Sequence, residues 1–300
     1  MRMGVMGAGA VGCYFGGMLA RAGHDLVLIG RANHVDAIEA RGLRLQTLEF
    51  DEYVTVHART DPATLGDCDA VLVCVKSADT EQAGALIRPH IRTDTQVLSL
   101  QNGVDNAQRL AVSLQAPVVA SVVYVGTEMA GPGHVRHHGR GELVIGDGPT
   151  SQTCADWLTE AAIPTTVTPN IEGALWTKFI INCVYNALSA ITQMPYGNLV
   201  QSPGIWTTMK QAFDECNQVA QAKGVRFDHP VWPMVETIAR TMQGQMSSTA
   251  QDLRLGKATE IDHLNGTLVK MGESVGIATP THQALWSLVK ALESKANGTR

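Results

Sequence analysis

The chain has no surplus of positive charge: 23 Lys and Arg stand against 28 Asp and Glu, a net charge of -5 over 300 residues. That leaves no basic footprint for nucleic acid. Trp, Tyr and Phe number five each, too few to suggest base-stacking platforms. No run of about eighteen apolar residues free of charge occurs, so no membrane span is expected. The six cysteines (Cys13, Cys68, Cys74, Cys154, Cys183, Cys216) form no C-x-x-C pair and lie mostly in apolar runs. They read as reduced, buried thiols of a cytoplasmic protein rather than a disulfide framework. There is no G-x-x-x-x-G-K-[ST] loop, which argues against a nucleoside triphosphatase. Internal repeats and low-complexity tracts are absent too. Arg2 and the apolar-leaning stretch after it have the outline of a secretory leader, but removing them would delete the first strand and helix of the pattern described next.

What is present is a 45% apolar chain, long enough for two domains with full cores. It opens with a short apolar run, Met3 to Met6, leading into Gly7-Ala8-Gly9-Ala10-Val11-Gly12 and a helical pattern closed by Gly23. In that setting the glycines have distinct tasks. Gly7 allows the tight turn, Gly9 the close approach of a pyrophosphate, and Gly12 the packing of helix on strand. The positive end of the helix then faces a diphosphate.

The runs Leu26–Ile29, Ala70–Val75, Gln96–Leu100 and Val118–Val125 are continuously apolar rather than alternating, as in strands covered on both faces of a mostly parallel sheet. Helical candidates lie between them at His34–Arg41, Asp79–Ile87 and Val104–Leu114. Leu43–Gln46 and Tyr53–His57 read as an added hairpin. Gly131-Pro132-Gly133 predicts a turn with His134–His137 and Glu142–Ile145 as its strands, and Gly139 and Gly141 read as hairpin glycines. Beyond Pro169 the signals are helical: Ala174–Thr192, Gly204–Lys223, Pro230–Gln243, Thr249–Leu255, Thr259–Val275 and Pro280–Lys295. The expected fold class is α/β, an N-terminal Rossmann-type doubly wound sheet (residues 1–168) followed by an all-α C-terminal domain (residues 169–300) that binds substrate.

The cofactor choice rests on another absence. After Ile29, where an NAD enzyme usually presents an acid to the ribose 2′-hydroxyl, the chain reads Gly30-Arg31. A guanidinium suits a 2′-phosphate, which a carboxylate would repel, so NADPH (NADP+) is predicted. Lys76, at the end of the Ala70–Val75 run, is a second cation on that edge. The helix Ala174–Thr192 is apolar almost all round, yet Lys178, Asn182 and Asn186 recur every fourth residue, with Ser189 on the same side. Such residues share one wedge of a helix. A cation and two amides there would line a site for a small 2-oxo acid, since an unpartnered lysine inside a core is costly.

These pieces together resemble the ketopantoate reductase family (2-dehydropantoate 2-reductases) over essentially the whole chain. They are Gly7–Gly12, Gly30-Arg31, Val75-Lys76, Gln101-Asn102-Gly103, Leu175-Trp176-Thr177-Lys178 with Asn182 and Asn186, Ser247-Ser248, and Thr259-Glu260-Ile261-Asp262. The resemblance implies NADPH-dependent reduction of 2-dehydropantoate to pantoate, on the way to pantothenate. Residue by residue, it implies Lys178 as general acid, Glu260 as its carboxylate partner, and Asn102 beside nicotinamide and substrate. It further implies Asn182, Asn186 and Ser248 as substrate ligands, with Arg31 and Lys76 on the cofactor phosphates.

Simpler roles stand beside these. Ser248-Thr249-Ala250-Gln251 is also a capping box, Gln101-Asn102-Gly103 also a turn, and Glu260 and Asp262 also first-turn acids of a helix. One departure from the family pattern is Met194-Pro195-Tyr196-Gly197, where an asparagine usually precedes the glycine. Tyr196 could therefore adapt the pocket to a different branched 2-oxo acid. A non-catalytic NADPH sensor is a further alternative, against which an intact Lys178 and Glu260 argue. No metal is expected: His134 and His138 share a strand face, but no carboxylate or cysteine is near in sequence. Cys13 reads as a packed thiol. A homodimer is compatible with such a chain.

Overall fold

The computed structural model describes residues 1–298, and the chain divides into two compact units, Met1–Ile171 and Glu172–Arg300. Among the described residues no helix is long and apolar enough to cross a membrane.

In the first unit the elements run β1 (Arg2–Met6), α1 (Ala10–Arg21), β2 (Asp25–Ile29), α2 (Ala32–Arg41), β3 (Leu43–Gln46), β4 (Asp51–Val54), β5 (His57–Arg59), β6 (Ala70–Val73), α3 (Thr80–Ile87), β7 (Gln96–Ser99), α4 (Asn106–Leu114), β8 (Val119–Gly131), β9 (His134–Gly146), α5 (Ser151–Glu160) and β10 (Thr165–Thr168). The sheet order is β4-β3-β9-β8-β7-β6-β1-β2-β5, with β10 on β9. The stretch β5-β2-β1-β6-β7-β8 is parallel throughout, which is the 3-2-1-4-5-6 order of a doubly wound dinucleotide fold.

The continuous apolar runs have the expected cause. Met3 and Val5 of β1, with Ala70 and Leu72 of β6, enter one core under α1, while Met6, Val71 and Val73 enter another with Leu110 of α4. Both faces of these strands are buried, so no alternation survives in the sequence.

Three local expectations are corrected. The added hairpin forms, with Leu43 opposite Val54, but its second arm is Asp51–Val54 rather than Tyr53–His57, and His57 begins β5, which pairs in parallel with β2. Val54 ends β4 and Val56, also buried, lies between β4 and β5, so the alternation runs past the end of a single strand. His134–His137 and Glu142–Ile145 are the two ends of one strand, β9, and the Gly131-Pro132-Gly133 turn joins it to β8. Gly139 and Gly141 do not form a hairpin but make an irregularity within β9. With Arg140 they hold φ of 137°, 62° and 142°, and the register shifts between Tyr124 and Val125. Such a bulge bends the strand and needs residues that tolerate positive φ. Helix α5 and strand β10 carried no separate signal.

The second unit is helical: α6 (Ile171–Thr192), α7 (Tyr196–Leu199), α8 (Ile205–Ala222), α9 (Val231–Thr241), α10 (Ser248–Arg254), α11 (Asn265–Ser274) and α12 (Pro280–Gly298). The expected helix Thr259–Val275 is broken. A 3-10 turn, Ile261–His263, precedes α11, because Leu264 has φ -113° and ψ -100°, outside the helical region.

Candidate active site

The residues expected to face the cofactor stand at the carboxyl ends of parallel strands. The glycine loop follows β1, Gly30-Arg31 follows β2, Lys76 follows β6, and Asn102 follows β7. The strand order reverses between β1 and β6, where ligands bind in open α/β sheets. Gly7 has φ 113°, and a Cβ there would lie 2.9 Å from the backbone of Cys74 and Val75. A Cβ on Gly12 would lie 2.1 Å from the Gly7 carbonyl and 2.9 Å from Val5. Gly9 differs from both. It caps α1 without a side-chain bond, and a Cβ built on it meets nothing within 4 Å. Two glycines are thus spent on packing and one borders open space, as a pyrophosphate would require; Ala8, Ala10 and Val11 complete the loop. The N–H groups of Gly7 and Ala8 both donate to the Ile29 carbonyl at 2.9 Å, and a Cβ on Gly30 would meet the Ala8 Cβ at 2.5 Å. The loop is therefore fastened to the end of β2, where Arg31 is exposed as the N-cap of α2.

Cys13 is fully buried and burial pushes its thiol up to about 12, so it is a packing residue rather than a reactive thiolate.

A buried polar network, not visible in the sequence, lies under Asn102. Gln101 donates to the Val75 carbonyl (3.1 Å) and to Thr80 Oγ1 (2.7 Å). Thr80 donates to Asn106 Oδ1 (2.9 Å), and Asn106 donates to Ser77 Oγ (3.0 Å) and to the Asn102 carbonyl. These bonds join the loops after β6 and β7, which carry Lys76 and Asn102. Gln101-Asn102-Gly103 is therefore more than a turn, since the Gln101 side chain joins the network that bonds the Asn102 carbonyl.

In the second unit Lys178, Asn182 and Asn186 project from one side of α6; the first two are half-buried and Asn186 is 3% exposed. The carboxamides of Asn182 and Asn186 bond to no group among the described residues. Ser189 is different: its hydroxyl donates to the Met194 carbonyl (2.9 Å) and accepts from the Ser247 N–H (3.3 Å), so the chain itself uses it.

The helix cap lies one residue before the capping-box pattern, and with Ala250 at its third position no box forms. Ser247, not Ser248, accepts from Ala250 N–H (3.0 Å) and caps α10, leaving Ser248 exposed. Glu260 begins the 3-10 turn, in a segment tied to α12 at both ends. Glu293 accepts from the Thr259 N–H (2.8 Å) and hydroxyl (2.6 Å), while Asp262 accepts from Trp286 Nε1 (2.7 Å) and Lys290 Nζ (2.8 Å). Just beyond it, Asn265 donates to the Cys183 carbonyl (3.1 Å), between Asn182 and Asn186 on α6. Tyr196 is buried with its ring 4.6 Å from Tyr185, so its bulk packs on an aromatic neighbour. No group of three or more metal-ligating side chains occurs among the described residues.

Two family models cover most of the chain. "Ketopantoate reductase PanE/ApbA" matches residues 3–150, and "Ketopantoate reductase PanE/ApbA C terminal" matches residues 170–293. The chain belongs to the ketopantoate reductase family. A 2-dehydropantoate 2-reductase from Pyrococcus horikoshii is 32% identical over 306 residues, covering all of both chains. Among solved structures, a PanE/ApbA family ketopantoate reductase from Ralstonia eutropha superposes with a TM-score of 0.96 at 52% identity, covering 99% of this chain and 100% of that one. D-mandelate dehydrogenase, solved with NADH and anilino(oxo)acetate, gives a TM-score of 0.92 at 26% identity with the same coverage. The family membership accounts for the two-part architecture: a doubly wound sheet carrying the glycine loop, then a helical unit carrying the polar stripe.

Proposed function

We propose that this chain is an NADPH-dependent 2-dehydropantoate 2-reductase, converting the 2-oxo acid to (R)-pantoate in pantothenate biosynthesis. The observation that carries the reading is the α6 stripe. Two carboxamides that the chain does not use stand in line with Lys178, in a family whose curated relatives are named for this reaction. Asn186 is buried and Asn182 half-buried, and both keep their carboxamides open to a polar ligand.

Bound NADPH supplies the hydride. As negative charge grows on the ketone oxygen, the Lys178 ammonium stabilises it and gives up the proton. Glu260 is the carboxylate that keeps Lys178 charged, and Asn102 orients the reacting groups. Asn182, Asn186 and Ser248 hold the substrate's hydroxyl and carboxylate. Gly7, Gly9 and Gly12, with Ala8, Ala10 and Val11 between them, let the pyrophosphate approach, while Arg31 and Lys76 pair with cofactor phosphates, Arg31 with the 2′-phosphate.

A second reading, reduction of a different 2-oxo acid, is favoured by two observations. Tyr196 stands where the family pattern has asparagine, and the fold superposes well on a D-mandelate dehydrogenase. One assay series tests both. NADPH oxidation followed with 2-dehydropantoate beside aliphatic and aromatic 2-oxo acids should give its highest kcat/KM with 2-dehydropantoate. A higher value for another acid replaces the substrate assignment, and silence with every acid alongside NADPH binding leaves a sensor. For the cofactor, Arg31→Ala should collapse the NADPH-over-NADH preference. An unchanged ratio would sink the 2′-phosphate role.

A further inference from the structure

The segment Gln243–Ser247, which leads into Ser248, is clamped from two directions. The N–H groups of Tyr196 and Gly197 donate to the carbonyls of Gln245 (3.0 Å) and Gln243 (2.9 Å). The approach there is so close that a Cβ on Gly197 would lie 3.0 Å from the Gln243 Cα. At the other end Ser247, 1% exposed, makes three bonds. Its N–H donates to Ser189 Oγ (3.3 Å), its hydroxyl accepts from the Ala250 N–H (3.0 Å), and the same hydroxyl donates to the Asn186 carbonyl (3.1 Å).

Capping α10 requires only the bond from Ala250. The bond to Asn186 is additional. An interior helix carbonyl already serves the N–H four residues on, and Ser247 takes its second lone pair. That bond fixes the start of α10 against the residue of the stripe that is most deeply buried. One consequence is that Ser248, relieved of capping, begins the helix next to a fixed point on α6.

We propose that Ser247 is a positioning residue for the 2-oxo acid site: its bond to the Asn186 carbonyl holds the Ser248 hydroxyl in register with the Asn186 carboxamide, so that both act on one bound acid. This rests on the reading that Asn186 and Ser248 hold the substrate. A residue that acts only as a cap changes stability, whereas one that sets this register changes substrate binding and couples to Ser248.

The test compares Ser247→Ala, Ser247→Thr, Ser248→Ala and the Ser247→Ala/Ser248→Ala pair, by steady-state kinetics with the best 2-oxo acid and by NADPH titration. Ser247→Ala should raise KM for the acid by about tenfold, the scale of one lost hydrogen bond, with kcat within about threefold and NADPH affinity unchanged. Ser247→Thr keeps the hydroxyl and should return KM to within about twofold. On the Ser248→Ala background the further rise should shrink to below about twofold, the non-additivity of residues acting as one unit. If Ser247→Ala does not fold, Ser247→Gly replaces it, since glycine substitutes for a capping serine at little cost. An unmoved KM, a full tenfold rise on the Ser248→Ala background, or a parallel loss of NADPH affinity each overturns the proposal alone. A wild-type chain that turns over no 2-oxo acid overturns the functional reading and the proposal with it.

Discussion

Lys178 sits on a helix whose other faces are almost wholly apolar, and that setting decides what its removal should do. Its neighbours along the stripe bind substrate in the proposed reaction, so Lys178→Ala should spare substrate binding and lower kcat by about a hundredfold or more, the scale of general acid catalysis. Steady-state kinetics at saturating acid checks this, and near-normal turnover would move the role to another residue. Gly7 makes the opposite kind of prediction, one about space. With φ at 113° and backbone 2.9 Å from where a Cβ would lie, Gly7→Ala should destabilise the first unit by about 1–3 kcal/mol and weaken NADPH binding. Denaturant unfolding and cofactor titration read the two effects separately. Both residues are legible in sequence because each breaks a local rule: a charge in an apolar helix, and a glycine cluster at a strand end. Ser247 is not legible in that way. Ser247 and Ser248 are chemically identical neighbours, and only the turn geometry decides which hydroxyl points at the Ala250 N–H.

Among the elements, the turn carrying Glu260 depends on a charge cluster with α12, and the cluster titrates. Burial raises the Asp262 carboxyl, but hydrogen bonds from Lys290 and Trp286 outweigh it and hold the group below its ordinary range. Glu293 is likewise held low by Lys290 and Thr259 against the pull of burial. Carboxyls depressed in the folded state stabilise it fully above their unfolded values, here 3.8 and 4.5, and that contribution is lost as pH falls through the lower folded values. Acidification below about pH 4.5 should therefore lower the melting temperature, and the fall should be shallower in Asp262→Asn and Glu293→Gln. Equal acid slopes in thermal scans of the variants and the wild type would refute the assignment. Elements with a simple environment could be read from their pattern, β1 and β6 from continuous apolar runs and α6 from its four-residue polar recurrence. The β9 bulge could not. Gly139 and Gly141 resemble turn glycines until the register against β8 is seen, and Gly141 is also where a Cβ would meet the Tyr14 hydroxyl at 2.5 Å. The 3-10 break at Leu264 was hidden for a similar reason, because a backbone angle leaves no mark on the apolar pattern.

At the scale of the whole molecule, the cofactor should act as a folding ligand for the sheet unit. At a hundred times its Kd, NADPH should add about 2.7 kcal/mol and raise that unit's melting temperature on the order of 5–10 °C. NADH at the same concentration should do less, and Arg31→Ala should erase the difference between the two. Thermal scans with each nucleotide decide it. The sheet also imposes an order in time. Strand β3, completed by residue 46, lies in parallel beside β9, whose paired residues begin at His134. During synthesis the β3–β4 hairpin, complete at Val54, thus waits for about eighty further residues before its partner edge exists. A parallel pairing over that separation closes late and leaves apolar strand surface uncovered meanwhile. A nascent chain stalled before β9 should hold an unfinished sheet that a chaperone recognises, and release from that chaperone should coincide with emergence of His134–Gly146.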